Sequence, residues 1–323
     1  MNNSSDKKGR KIASYLIPGI ITLLVMIFVL IVKGIWPFGS NRIDLFDNMQ
    51  QVAPLYAHLW DAMHGDASVW FDWYTGLGTN VSMSISAFSM FSPFNLLLYL
   101  CPRDYILEFI SILTLVKMFV MSVTMYAFLN RRYKKLTYKT KVIFALAYTF
   151  CGYVLLYASC FTPWMDIVAL FPLLMMSLDV MEKTGRSFSI FLCWHCYLLL
   201  TIISVQCQLY TYSLPVECIL YSDVTKKREE MCVELRDSTF TGIGLSAFVL
   251  LPVFSQLSQS QRTGNSLSLV QQYMSWISNP TFRSFSLGEF ERIMMFYGMG
   301  IFLVLIFTGI HRKQKVTAVI RWI

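Results

Sequence analysis

Charged side chains are scarce in this chain: Asp, Glu, Lys and Arg make up 14% of its 323 residues, whereas 55% are hydrophobic. A soluble domain carries about 25% charged residues. Segment 12–32 has no charged residue at all, and a helix rising about 1.5 Å per residue over that length crosses the hydrocarbon core of a bilayer. The small-residue cleavage site of a signal peptide is lacking. The sequence therefore predicts an all-α polytopic membrane protein with a retained first transmembrane helix.

A disulfide framework is also lacking. Most of the eight cysteines lie within apolar runs, and no evenly spaced set falls in a loop. This distribution excludes the class of small secreted domains that are stapled by disulfides.

The net charge of +8 does not indicate nucleic-acid binding, because the basic residues form short clusters between the apolar runs. Placing every cluster in the cytoplasm satisfies the positive-inside rule. This predicts a cytoplasmic tail over 1–11 and a transmembrane domain over 12–323, in the plasma membrane. The eight expected spans are 12–32, 106–129, 141–160, 164–181, 188–207, 209–222, 239–257 and 293–310. Segment 209–222 is short and contains a proline and Glu217. The alternative is that it does not cross the membrane, in which case the orientation of every later span is reversed.

Three extracytoplasmic segments result: 33–105, 159–164 and 258–292. In the first, apolar residues recur at helical spacing over 44–63 and Pro54 is expected to break the pattern, which predicts an amphipathic helix at the membrane surface. Segment 81–100 is apolar, rich in serine and broken by Pro93. We expect it to form helices that dip into the interface and are covered by protein.

Lysine is missing from the first loop after Lys33, while aspartate recurs there. Asp44 and Asp47 are three residues apart and share a helix face, so both can point at one ligand. The alternative is structural, with Asp44 as helix cap and Asp47 as a first-turn charge. As functional groups, such carboxylates serve as a general base for a hydroxyl or hold a divalent cation that bridges phosphate oxygens.

Three stretches resemble a known family: RIDLFDNMQQVAPLY, FDWYTGLGTNVSMSISAFSMFSPFNLLLYLCP and YASCFTPWMDIVALFPLL. Together they are similar to the YfhO-like bacterial membrane proteins, which resemble the GT-C class of polyprenyl-phosphate-dependent glycosyltransferases. The resemblance covers 12–182 closely and 239–300 more loosely. It implies a GT-C-like helical bundle and a sugar donor carried on polyprenyl phosphate. The implied acceptor is a cell-envelope polymer of the teichoic-acid type.

The family's members are longer than this chain. The resemblance therefore implies that the chain corresponds to the N-terminal portion of a longer architecture.

The resemblance also implies roles for residues of the first loop. In the GT-C class the first outer loop carries a catalytic aspartate. It corresponds to Asp47 if Gln51 is the glutamine four residues after it, and Asp44 is the alternative position. Gln51 would bond the sugar or phosphate. Gly76 and Gly78 would let backbone N–H groups approach the ligand, although a plain turn is the alternative. The remaining substrate-binding candidates in this loop are Asn80 and Asp72.

Further candidates lie outside that motif. Asp166 follows the second outer segment and is expected at the membrane edge, either in the same cavity as Asp47 or as a snorkelling aspartate. Trp73 and Trp164 either stack on sugar faces or anchor the interface. Arg262 would hold the donor phosphate or is an ordinary loop arginine. Lys117, inside the second span, must either find a partner or snorkel to the interface; Glu108 is too distant along the helix to pair with it directly.

Three functions compete. An inverting glycosyltransferase is favoured by the concentration of carboxylates outside the bilayer. A transporter or flippase for a lipid-linked substrate would place ionisable groups within several spans. A scaffold that binds a wall-synthesis partner through its aromatic loop would need no catalysis.

Overall fold

The computed structural model describes residues 2–43, 46–74, 78–80 and 92–184, together with the single helical positions Ala247 and Leu251. The protein is mostly helical, as predicted. Six α-helices follow one another in the described ranges: α1 (Asn2–Lys33), α2 (Ala53–His64), α3 (Ile106–Arg132), α4 (Tyr138–Thr149), α5 (Gly152–Cys160) and α6 (Met165–Thr184). Between them lie a π-helical turn (Asn48–Val52), 3-10 helices (Pro93–Leu100, Arg103–Tyr105, Thr162–Trp164) and the short antiparallel pair β1 (Phe71–Asp72) and β2 (Thr79–Asn80).

Two helices of the described ranges are long and apolar enough to cross a membrane, over Ile12–Lys33 and Arg103–Arg132. They correspond to the predicted spans 12–32 and 106–129. The predicted span 141–160 consists of α4 and α5, which pass the same test together but are bent by 42° at a short break. The predicted span 164–181 falls on α6, where the shorter apolar stretch Thr162–Ser177 lies. The other predicted spans and the segment 258–292 lie outside the described ranges, apart from Ala247 and Leu251.

Helix α3 is the centre of the bundle, because α1, α4 and α6 all pack against it. One face of it is fully buried, at Ile110, Leu113, Met118 and Met121. Helix α1 approaches closely at Gly19, where a Cβ would lie 2.5 Å from the Phe119 ring. Close contact through small residues is a common packing mode of membrane helices. It holds α1 against α3, the helix on which residues of the first loop pack.

A helix is present over the predicted stretch, but its first turn differs from the expected pattern. The π-helical turn Asn48–Val52 runs directly into α2, and Pro54 lies in the first turn of α2, where a missing N–H is tolerated. Pro54 therefore starts the α-helix and does not break it. A π turn inserts a residue and shifts the helical phase. As a result Asn48 is buried, whereas Met49, which belonged to the expected apolar stripe, is 46% exposed.

The 3-10 helix Pro93–Leu100 covers the same end of the bundle. Ser92 caps it by accepting a hydrogen bond from the Phe94 N–H at 3.2 Å, and Phe94 and Leu98 are buried in the main core. Helix α2 packs on this element and on α3. The end of the bundle that carries residues 34–105 is called the loop end below.

Candidate active site

The Asp47 carboxylate is partly exposed at the start of the π-helical turn. Gln51 donates a hydrogen bond from Nε2 to Asp47 Oδ1 at 2.7 Å. Asp47 precedes the turn as its first flanking residue but makes no side-chain capping bond to the backbone. The Asp47 carboxylate is therefore held by the side-chain amide of Gln51 and remains accessible to solvent. Asp44, the alternative position, lies outside the described residues.

Asn48, the next residue, points the other way into the protein. Its Nδ2 donates to the carbonyl of Ser159 at 2.8 Å, and its Oδ1 accepts from the Thr162 N–H at 2.9 Å. The side chain is fully buried. The side-chain amide of Asn48 thus joins the π-helical turn to the connection between α5 and α6.

Lys117 and Asp166 form a buried ion pair below this connection. Lys117 Nζ lies 2.7 Å from Asp166 Oδ1, and the two side chains are 0% and 1% exposed. Lys117 also donates to the Thr162 carbonyl at 3.1 Å. This pair supplies the partner that the sequence did not identify for Lys117, and the only sequence signal for it was the rarity of both charges inside apolar runs.

The depth of Asp166 differs from the expectation of a membrane-edge position. Lys117 is eleven residues into α3, about 16 Å along the helix from its first residue. Asp166, in the first turn of α6, meets it at that level. The connection Thr162–Trp164 therefore reaches inside the bundle, and Asp166 is buried there in place of snorkelling to the surface.

Three hydroxyl groups and one aromatic ring lie around the pair. The Thr114 and Thr162 hydroxyls are 3.3 Å apart, and the Phe94 ring centroid lies 5.8 Å from Lys117 Nζ. The Tyr56 hydroxyl is buried, and among the described residues it has no hydrogen-bond partner. Burial first, and then the negative charge of Asp166, raise the pKa of Tyr56 well above its ordinary value. Tyr56 is therefore a protonated phenol under all ordinary conditions.

The aromatic hairpin of β1 and β2 lies further along the loop. Asp72 is buried, accepts a hydrogen bond from the Tyr74 N–H at 3.0 Å, and lies 3.7 Å from His58 Nδ1. His58 is seven residues beyond Gln51, about 10 Å along the helix. These contacts join Asp72 to Tyr74 and to His58 of α2. The sharing of one substrate cluster between the hairpin and Asp47 stays a prediction.

Three other predicted residues belong to the hairpin segment: Trp73, Gly78 and Asn80. Trp73 is 75% exposed, and Gly78 lies beneath it with φ of 96°, where a Cβ would be 3.1 Å from the Trp73 ring. A side chain at that position would be strained as well as crowded, which accounts for glycine as a turn residue. Asn80 pairs with Phe71 through the strand register. Gly76 and Arg262 lie outside the described residues.

Trp164 packs inside the protein. Its ring centroid is 4.9 Å from that of Tyr157 and 4.8 Å from that of Phe161, and the side chain contacts the main core. These contacts give Trp164 a packing role in the described structure.

Cations at the loop end are engaged by carboxylates. Arg42 lies 3.3 Å from Glu108, and Arg103 makes a two-point contact with Asp61 at 2.6 and 2.9 Å. Within the described ranges, no group of three or more His, Cys, Asp or Glu side chains is arranged to hold a metal ion. The use of a divalent cation at this site stays a prediction.

Comparison with known proteins gives one positive result. A family model described as bacterial membrane protein YfhO matches residues 19–321. No curated protein and no solved structure matches the chain. The match extends well beyond 12–182, where the sequence motifs were found.

Proposed function

The chain belongs to the YfhO family of bacterial membrane proteins, and from this premise we propose that it is a membrane glycosyltransferase. In this proposal it moves a sugar from a polyprenyl-phosphate donor to a cell-envelope polymer, such as a teichoic acid, at the outer face of the membrane. The N-terminus is cytoplasmic, so the loop end faces outward. The observation that carries the proposal is the Asp47 carboxylate, solvent-accessible at the loop end and held by Gln51.

Asp47 is the general base of the proposed reaction. It takes the proton of an acceptor hydroxyl while the hydroxyl oxygen attacks the anomeric carbon of the donor sugar. The bond between that carbon and the phosphate oxygen breaks, and polyprenyl phosphate leaves with the electron pair, inverting the anomeric configuration. Gln51 occupies one carboxylate oxygen, which orients the other toward the acceptor.

Donor binding requires a cation for the phosphate. Arg42 and Arg103 are both engaged by carboxylates. We therefore assign the phosphate to Arg262, whose guanidinium can make a bidentate contact. Trp73, exposed on the hairpin, supplies a face for sugar stacking, and Asp72, Gly76, Gly78 and Asn80 belong to the same segment of the proposed substrate surface.

The test compares variants in a bacterial host that lacks its own family member. Wild type, Asp47→Ala, Asp44→Ala and the matched loop control Asp66→Ala are brought to equal membrane levels. The sugar on wall polymers and the pool of polyprenyl-phosphate sugar are then measured. We expect Asp47→Ala to lose at least 100-fold of transfer, an effect within the usual range for a general base, and Asp66→Ala to match wild type. Transfer that survives both Asp47→Ala and Asp44→Ala would contradict the proposal.

A flippase for a lipid-linked substrate is the second candidate. The observation in its favour is the Lys117–Asp166 pair, because buried ionisable groups in a membrane domain often mark a substrate path. In the same experiment a flippase would change the distribution of the donor between leaflets without any dependence on Asp47. Sugar transfer in Asp47→Ala membranes therefore separates the two functions: it is lost for the transferase and retained for a flippase.

A further inference from the structure

Thr162 is the point at which three elements of the loop end meet. Its N–H donates to Asn48 on the π-helical turn, and its carbonyl accepts from Lys117 of α3. Its hydroxyl lies 3.3 Å from the hydroxyl of Thr114, also on α3. Every polar atom of this one buried residue is thus engaged. The connection between α5 and α6 is a fixed platform.

The π-helical turn is attached to that platform through the side chain of Asn48. The two hydrogen bonds of Asn48, to the Ser159 carbonyl and from the Thr162 N–H, use both ends of the amide. A side chain of this type is held against rotation because the donor and the acceptor must each face their own partner. Asn48 therefore fixes the orientation of the turn at the residue next to Asp47.

The backbone before the turn shows why such a tie is needed. Phe46 has φ of 49°, in the left-handed region that a bulky residue rarely adopts. Its carbonyl accepts hydrogen bonds from the N–H groups of Met49 and Gln50. Conformations of this kind persist where the surroundings hold them in place. Asn48 is the buried contact nearest to Phe46 on the described part of the turn.

From this arrangement we propose that Asn48 is a positioning residue, which sets the direction of the Asp47 carboxylate by clamping its turn onto the platform at Thr162. This inference rests on the proposed function, in which Asp47 is the base. A base must be held within hydrogen-bond reach of the acceptor, and small displacements reduce catalysis strongly. The buried ion pair contributes by holding the Thr162 carbonyl.

Hydrogen exchange in lipid nanodiscs tests the clamp without any substrate. The variants are Asn48→Ala, Asn48→Asp and the control Gln50→Ala, whose side chain is exposed on the same turn. Asn48→Ala removes two hydrogen bonds. A tenfold change in an opening equilibrium corresponds to about 1.4 kcal/mol, which is within the range of their combined net contribution. We expect about tenfold faster exchange over 46–52 and 159–164 in Asn48→Ala and no change in α3 or in the control. Asn48→Asp loses the donor to the Ser159 carbonyl and sets a buried carboxylate oxygen against that carbonyl, so we expect exchange over both segments at least as fast as in Asn48→Ala.

Transfer measured in the same variants tests the consequence for catalysis. We expect Asn48→Ala to lower the sugar transferred per membrane protein about tenfold, the effect of a misplaced base, and Gln50→Ala to match wild type. The clamp is overturned if exchange stays within twofold of wild type over both segments, or if α3 exchanges faster to the same degree. Positioning is overturned if the turn opens while transfer is unchanged. Absence of transfer in wild type would instead refute the proposed function, and the exchange data would still decide on the clamp.

Discussion

Two ion pairs of the molecule, one inside the bundle and one at the loop end, have almost the same length and opposite surroundings. Lys117 and Asp166 are 2.7 Å apart with side chains 0% and 1% exposed, while Arg103 and Asp61 are 2.6 Å apart with side chains 53% and 25% exposed. A charge taken from water needs its partner, whereas a charge in water is solvated in any case. Distance therefore does not rank these contacts. Burial ranks them, and it predicts that loss of the Lys117–Asp166 pair strongly lowers the stability of the fold, whereas loss of the Arg103–Asp61 pair changes it little.

The largest effect is expected for Asp166→Asn. The substitution keeps the shape of the side chain and leaves Lys117 buried without a counter-charge. Breaking a buried pair in this way costs about 3–5 kcal/mol. The measurement is thermal unfolding of the purified protein in lipid nanodiscs, followed by intrinsic fluorescence.

The matched control removes both charges together. In Lys117→Met combined with Asp166→Leu, no uncompensated charge is left, so most of the lost stability should return. If the double variant unfolds as early as Asp166→Asn, packing and not charge explains the loss. If Asp166→Asn is as stable as wild type, burial does not rank the two pairs.

A much smaller effect is expected for Arg103→Ala. Exposed pairs contribute at most about 1 kcal/mol, and salt screens them. The hydrogen bond from Arg103 lowers the pKa of Asp61 below its ordinary value. Stability linked to a lowered carboxyl pKa is fully present above the unfolded pKa, about 3.9, and is lost as pH falls through the folded pKa. The difference in unfolding temperature between wild type and Arg103→Ala should therefore be small at pH 7 and vanish at pH values below the folded pKa.

The control for this experiment is ionic strength. Raising the salt concentration to about 1 M shortens the screening length to about 3 Å, which should remove most of the difference at pH 7. A difference that grows as the pH falls would show that Arg103 stabilises the fold through contacts other than its pair with Asp61.

The same contrast explains how far the sequence could predict the molecule. Helices α1 and α3 were predictable because a long apolar run is a local signal. Gln51 was expected to bond the sugar or phosphate; in the structure it donates to Asp47, a contact open to residues four apart on one helix face. The pairing of Lys117 with Asp166 was not predictable, because it depends on how deep the connection at Thr162 reaches into the bundle. The role of Asn48 was not predictable, because a π turn has no sequence pattern of its own and places Asn48 on the buried side.

The smallest effect on stability is expected for Asp47→Asn. The carboxylate is partly exposed and its hydrogen bond from Gln51 is a side-chain contact four residues apart, worth about 0.2–0.5 kcal/mol. An amide oxygen at the same position can still accept from Gln51 but cannot take a proton at neutral pH. Unfolding in nanodiscs should therefore change by no more than about 0.5 kcal/mol, while sugar transfer in cells is lost. Gln51→Ala is the matched variant and should be equally stable. A loss of stability in Asp47→Asn comparable to that of Asp166→Asn would place Asp47 among the groups that hold the fold and remove the reason for assigning it the chemistry.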